Sequence, residues 1–120
     1  MEPFVLREEK GQPSSLFMLQ IWCGTDDGLT AGFTTRRAGN VALHVGDDPL
    51  AVVSNRETMA ESLGWDFAAF TCAEQVHGND VYVVKTEDIG RGRTSRETAI
   101  ADTDAMITNK PDVLLAMFYA

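Results

Sequence analysis

The sequence predicts a mixed α/β chain of the α+β type, with a helix opening near Pro49 and strands through much of the remainder. Three observations predict it. Asp48 can cap a first turn that Pro49 suits and Gly64 can close. Runs such as Leu29 to Thr35 and Val81 to Val84 alternate or cluster apolar residues as strands do. Between these runs lie Gly, Asn and Asp clusters suited to turns.

Taken in order, Phe4-Val5-Leu6 and Leu16 to Cys23 read as two strands of a hairpin, joined through the polar Glu8 to Ser15 stretch with Gly11 and Pro13. Gly24 to Gly28 is a turn, and Leu29 to Thr35 a half-buried strand followed by Arg36-Arg37. After Ala38-Gly39-Asn40, a short strand over Val41 to Val45 would set Val41, Leu43 and Val45 on one face and His44 on the other. The helix then runs from Pro49 to Leu63. Arg56 shares its stripe with Val52, Met59 and Leu63, so its guanidinium should face inward or into a cleft. A cation so placed needs an anion or carbonyls: it contacts a ligand, pairs with one of the chain's many carboxylates, or snorkels to water.

Asp66 to Phe70 can add one helical turn, and Thr71 to His77 extends into the Gly78-Asn79-Asp80 turn before the Val81 to Val84 strand. Thr86 to Glu97 shows no hydrophobic period and reads as a mobile loop, its Gly90-Arg91-Gly92-Arg93 lacking phosphate-loop spacing. Ile100 to Thr108 passes from polar to apolar, and Asn109 to Asp112 makes a turn. Val113 to Ala120 is apolar on both alternating faces, as a central strand would be.

At 120 residues and 44% hydrophobic content, the chain has the size and composition of one globular domain, residues 1–120. Its formal charge of -8 disfavours polyphosphate backbones, so nucleic acid is not an expected partner. No apolar run reaches the roughly 20 residues that cross a bilayer, and no secretory leader opens the chain, so a membrane is not expected and a cytoplasmic location is. Cys23 and Cys72 form no CxxC pair and read as small buried hydrophobes.

Chemistry points first to Gln75-Val76-His77-Gly78, where an imidazole ends a strand-like run just before a turn. A histidine there can bind metal or move protons near neutral pH, or simply hydrogen-bond the turn. His44 is the second imidazole, in its own exposed place or in a shared pocket.

In order and spacing, Gly32 to Arg36, Leu43 to Pro49, Asn55-Arg56, Gln75 to Gly78 and Asp104 to Thr108 resemble the YfiH/YlmD family of laccase-domain, or purine nucleoside phosphorylase, proteins. The resemblance implies a four-layer α/β/β/α fold with large mixed sheets. It implies zinc-linked phosphorolysis of adenosine, inosine and methylthioadenosine, with adenosine deamination in some members. It makes His77 a metal ligand and part of the catalytic centre, and purine nucleoside and phosphate the partners. The family's other two ligands, a cysteine in an Ala-Asp-Cys motif and a later histidine, would follow a strand like Val113 to Ala120. The chain is therefore expected to be the N-terminal part of the family's domain. Cys72, five residues from His77, would lie on the opposite face of a regular strand and is not promoted to ligand.

On this basis Arg36 and Arg56 are candidate phosphate contacts and His44 a ligand contact or proton shuttle. A second reading, copper-dependent phenol oxidation, asks for several His and Cys ligands where the chain has two histidines. A third is a noncatalytic binding or assembly module.

Overall fold

The computed structural model describes residues 3–9, 12–23 and 28–119, with the side chains at 8, 9 and 12–14 left aside. The chain divides into two compact units, residues 1–40 and 41–120. No helix among the described residues is long and apolar enough to cross a membrane.

The first unit is an antiparallel sheet in the order β1 (Phe4–Glu9), β2 (Gln12–Leu19), β3 (Gly32–Thr34). Pairing of Phe4 with Leu19 and Leu6 with Phe17 forms the expected hairpin, although both strands run further into the polar stretch than their apolar residues suggest. Phe17 pairs with Phe33, and the backbones approach so closely at Gly32 that a Cβ would collide with the Phe17 carbonyl oxygen. The run read as one strand to Cys23 ends at Leu19, and Gln20–Cys23 coils into the short helix α1. The turn expected over Gly24 to Asp27 lies outside the described residues.

The second unit carries α2 (Pro49–Ser62), begun as the sequence predicts. The Asp48 carboxylate accepts the Leu50 N–H at 3.1 Å, Pro49 occupies the first turn, and Gly64 follows the helix with φ +77°. The buried stripe is Val52, Arg56 and Ala60, at successive spacings of four, with Met59 and Leu63 at its half-buried margin. Asp66 caps the Phe67–Ala69 turn through the Ala68 N–H.

Two parallel pairs follow, β4 (Phe70–Cys72) with β7 (Leu114–Ala116) and β5 (Val81–Val83) with β6 (Ala105–Ile107). A bridge between Ala73 and Ile100 lies beyond the end of β4. Ala73, Val84 and Ile100 form a small core, against which Tyr82, Met106, Val113 and Leu115 pack. The sequence predicts β7 covered on both faces, yet its three residues are half-buried and among the described residues it pairs with β4 alone. The large sheets implied by the resemblance correspond, among the described residues, to one three-stranded and two two-stranded sheets.

Two local expectations fail. Val41 to Val45 is not a strand: Leu43–Val45 forms a 3-10 turn that ends on Gly46 in the left-handed region, φ +80°. Residues 86–97 are not a loose loop either, being tied down by polar contacts that leave no hydrophobic period to read. Asp88 accepts the Lys85 N–H, Cys72 donates its N–H to the Arg91 carbonyl, and Gly92 donates its N–H to Thr98 Oγ1.

Candidate functional site

The second unit contains a cleft of about 270 Å³. His44 and His77 both line it, as do Glu74, Gln75 and Arg96, with Arg56, Cys72 and Phe118 in its wall. The two histidines come from different elements and both are exposed.

His77 sits in a backbone conformation few residues adopt. Its φ is +61°, in the left-handed region where a Cβ is disfavoured. The amides around it converge on a single side chain. Asp104 Oδ1 accepts the N–H groups of Val76 and His77 at 2.9 and 2.7 Å, and Oδ2 accepts that of Gly78 at 2.7 Å. Parallel pairing brings this about: Val81 registers with Ala105, and Asp104 and Ala105 both donate their N–H to the Asp80 carbonyl. Asp104 thus stands beside the turn that precedes β5. Burial works against its charge, but the amides of Gly78, His77 and Val76, and the nearby imidazole, hold the carboxyl below its usual range.

The wall is built around Arg56, which is 1% exposed. Its Nε donates to the Val41 carbonyl at 2.7 Å, and its Nη1 to the carbonyls of Gly92 and Arg93 at 2.8 and 2.9 Å. The guanidinium lies over the rings of Phe70 and Phe118, 5.1 and 4.7 Å from their centroids. The expectation of an inward-facing guanidinium therefore holds, with backbone carbonyls as its partners. Burial draws its pKa down, against the opposing influence of Cys72. The same burial pushes the Cys72 thiol up, with Arg56 pulling the other way. Cys72 thus stays a thiol near neutral pH, donating to the Gly92 carbonyl at 3.2 Å.

Gln75 fixes the position of Phe118. Its side-chain amide donates to the Phe118 carbonyl at 3.1 Å and accepts the Phe118 N–H at 2.8 Å, as a paired strand would. At the rim Arg96 pairs with Glu74 at 3.2 Å, both exposed. Arg36, the other candidate phosphate contact, is exposed on the Arg36–Ala38 turn of the first unit.

The sequence reading named Gly92 and Asp104 but not what they touch, and it passed over Gln75's tie to Phe118 and the Arg96–Glu74 pair. Gly92 carried a legible signal, a glycine between two arginines. Its φ is +74°, and a Cβ there would come within 2.6 Å of Cys72 Sγ and 2.9 Å of the Cys72 carbonyl oxygen.

Among the described residues no three His, Cys, Asp or Glu side chains are placed to hold a metal ion. The cleft offers zinc or copper the imidazole of His77, whereas the Cys72 sulfur is turned to a carbonyl. These residues do not by themselves fit a metal centre.

A family model described as multi-copper polyphenol oxidoreductase laccase matches residues 28–120. The chain belongs to this laccase family. A purine nucleoside phosphorylase, YlmD, of Geobacillus stearothermophilus is 39% identical over 102 residues, 78% of this chain and 37% of the relative. The YlmD phosphorylase of Bacillus subtilis is 37% identical over 120 residues, 90% of this chain and 43% of the relative. Among solved family structures, the hypothetical protein YfiH of Bacillus licheniformis superimposes with a TM-score of 0.81 at 29% identity, covering 96% of this chain and 43% of that one. YlmD of G. stearothermophilus does so with a TM-score of 0.77 at 34% identity, covering 94% and 43%. The chain spans less than half the length of these relatives.

Proposed function

We propose that the cleft of the second unit is part of a purine nucleoside phosphorylase site in which His77 is the principal reacting group. The observation that carries the reading is the placement of His77 on the cleft in a backbone held by Asp104, in a chain whose relatives bear that activity's name. In phosphorolysis a phosphate oxygen attacks the anomeric carbon of the ribose. The bond to the purine nitrogen breaks, and the departing base takes up a proton.

An imidazole at the cleft can deliver that proton, and His44 on the same cleft is the proposed second contact or shuttle. Arg56 gives the wall positive charge for phosphate, and Arg96 would give the rim more once phosphate displaced its Glu74 partner. Arg56 does so from a fixed position, with Nε and Nη1 bound to carbonyls, and Arg96 from an exposed one. Arg36 is proposed as a further anion contact on the sequence resemblance alone. Where His77 instead serves as this chain's contribution to a zinc centre, whose remaining ligands the described residues do not supply, its coordinated nitrogen carries no proton and the proton transfer falls to His44. Adenosine deamination is a finer proposal for the same cleft.

The test incubates the chain, and a version extended to the length of its relatives, with phosphate and inosine, adenosine or methylthioadenosine. Base and ribose 1-phosphate are measured. Base released only when phosphate is present, and lost in His77→Ala, is the expected result. Ammonia from adenosine would establish the deaminase proposal. Oxidation of a phenol without any phosphorolysis would replace the reading with the copper-dependent one.

A further inference from the structure

Asp104 is assigned no reacting role in the chemistry proposed above, yet its carboxylate binds three amides of the His77 turn. Three consecutive amides point at one carboxylate at 2.7 to 2.9 Å. Three consecutive N–H groups do not converge in an ordinary strand, where successive amides point to opposite edges. Convergence here requires the turn His77 makes with its φ of +61°. The surrounding packing is thin: Val76, His77, Gly78, Asn79 and Asp80 are all exposed. Asp104 is anchored on its own side by β6, through its N–H to the Asp80 carbonyl and the register of Ala105 with Val81.

We infer that Asp104 is the positioning residue of His77: its carboxylate, rather than burial of the turn, fixes the backbone from which the imidazole enters the cleft. A carboxylate suits the task because its two oxygens accept all three N–H groups and donate none. Asparagine, of nearly the same shape, would present an NH₂ to at least one of them. Gly78 fits the same arrangement, since a Cβ there would come within 3.3 Å of Asp104 Oδ2. The catalytic consequence rests on the phosphorylase reading; the structural one does not.

The test compares Asp104→Asn and Asp104→Ala with wild type in the full chain and in the extended version. Amide hydrogen exchange at Val76, His77 and Gly78 should accelerate by roughly tenfold or more, because those bonds open without unfolding the core. The amides of Val84 and Ile100, which donate to Ile107 and Cys72 carbonyls, should keep their rates and so certify the fold. In a protein with phosphorolysis, kcat should fall by roughly tenfold or more with KM within about twofold, as expected when a reacting group is misplaced but the substrate surface is intact.

Unchanged exchange at the three amides in Asp104→Asn overturns the inference. So does faster exchange with unaltered kcat in a protein that His77→Ala inactivates. If wild type releases no base at all, the phosphorylase reading falls, and the exchange rates alone still decide whether Asp104 holds the turn.

Discussion

His77 and His44 face the same cleft from two differently built supports. The His77 backbone is gripped from 27 residues away by a carboxylate that binds three consecutive amides. His44 sits in a 3-10 turn that begins at Ala42 with no side-chain cap and ends on left-handed Gly46. Three residues earlier, the Val41 carbonyl accepts a bond from Arg56. Two exposed imidazoles thus differ in how their backbones are held. Pre-positioned groups contribute most to rate, so under the proposed phosphorylase reading His77 would take the demanding step and His44 the tolerant one.

The largest way to break this comparison is Arg56→Ala. It removes a buried cation and leaves the carbonyls of Val41, Gly92 and Arg93 without that donor, which should cost on the order of 3–5 kcal/mol of stability in denaturant unfolding. In any folded fraction, the His44 side should loosen before the His77 turn, because Asp104 does not depend on Arg56. A smaller effect, about 1–3 kcal/mol, is expected of Gly92→Ala, through its positive φ and the collision with Cys72. Thermal unfolding would show it, and a neutral Gly92→Ala would contradict the close packing of that loop on the wall.

The smallest effect should appear only in acid. Asp88 is held below the ordinary carboxylate range, chiefly by the Lys85 N–H, against burial, with help from Arg91 and Tyr82. A carboxylate depressed in the folded state contributes stability that is present above its unfolded value, about pH 4, and is lost as pH falls through the folded one. The melting temperature should therefore fall below about pH 4, and less steeply in Asp88→Asn. Exchange at the His77 amides should not respond to that substitution.

How much was legible followed the range of the interactions. Asp48, Pro49 and Gly64 act within a turn of their own position, so α2 could be read with its ends and its inward Arg56. His77 was legible as an imidazole before a turn. Its partner Asp104 was not, because the contact exists only once β5 and β6 pair in parallel. His44 was placed on a strand because Val41, Leu43 and Val45 alternate, but Gly46 closes a tight turn that overrides a five-residue pattern. Residues 86–97 looked loose because the bonds that hold them involve Asp88, Thr98 and backbone groups, none of which leaves a hydrophobic period. The carbonyl partners of Arg56 were hidden for a related reason, since any residue carries a carbonyl.

The most direct measurement of the central claim is base release from inosine with phosphate by His77→Ala and His44→Ala, in a background that is active as wild type. The account predicts a loss of about 100-fold or more in kcat for His77→Ala with an unchanged melting temperature, and a loss of no more than about tenfold for His44→Ala. Equal losses, or a His77→Ala protein that turns over like wild type, would contradict it.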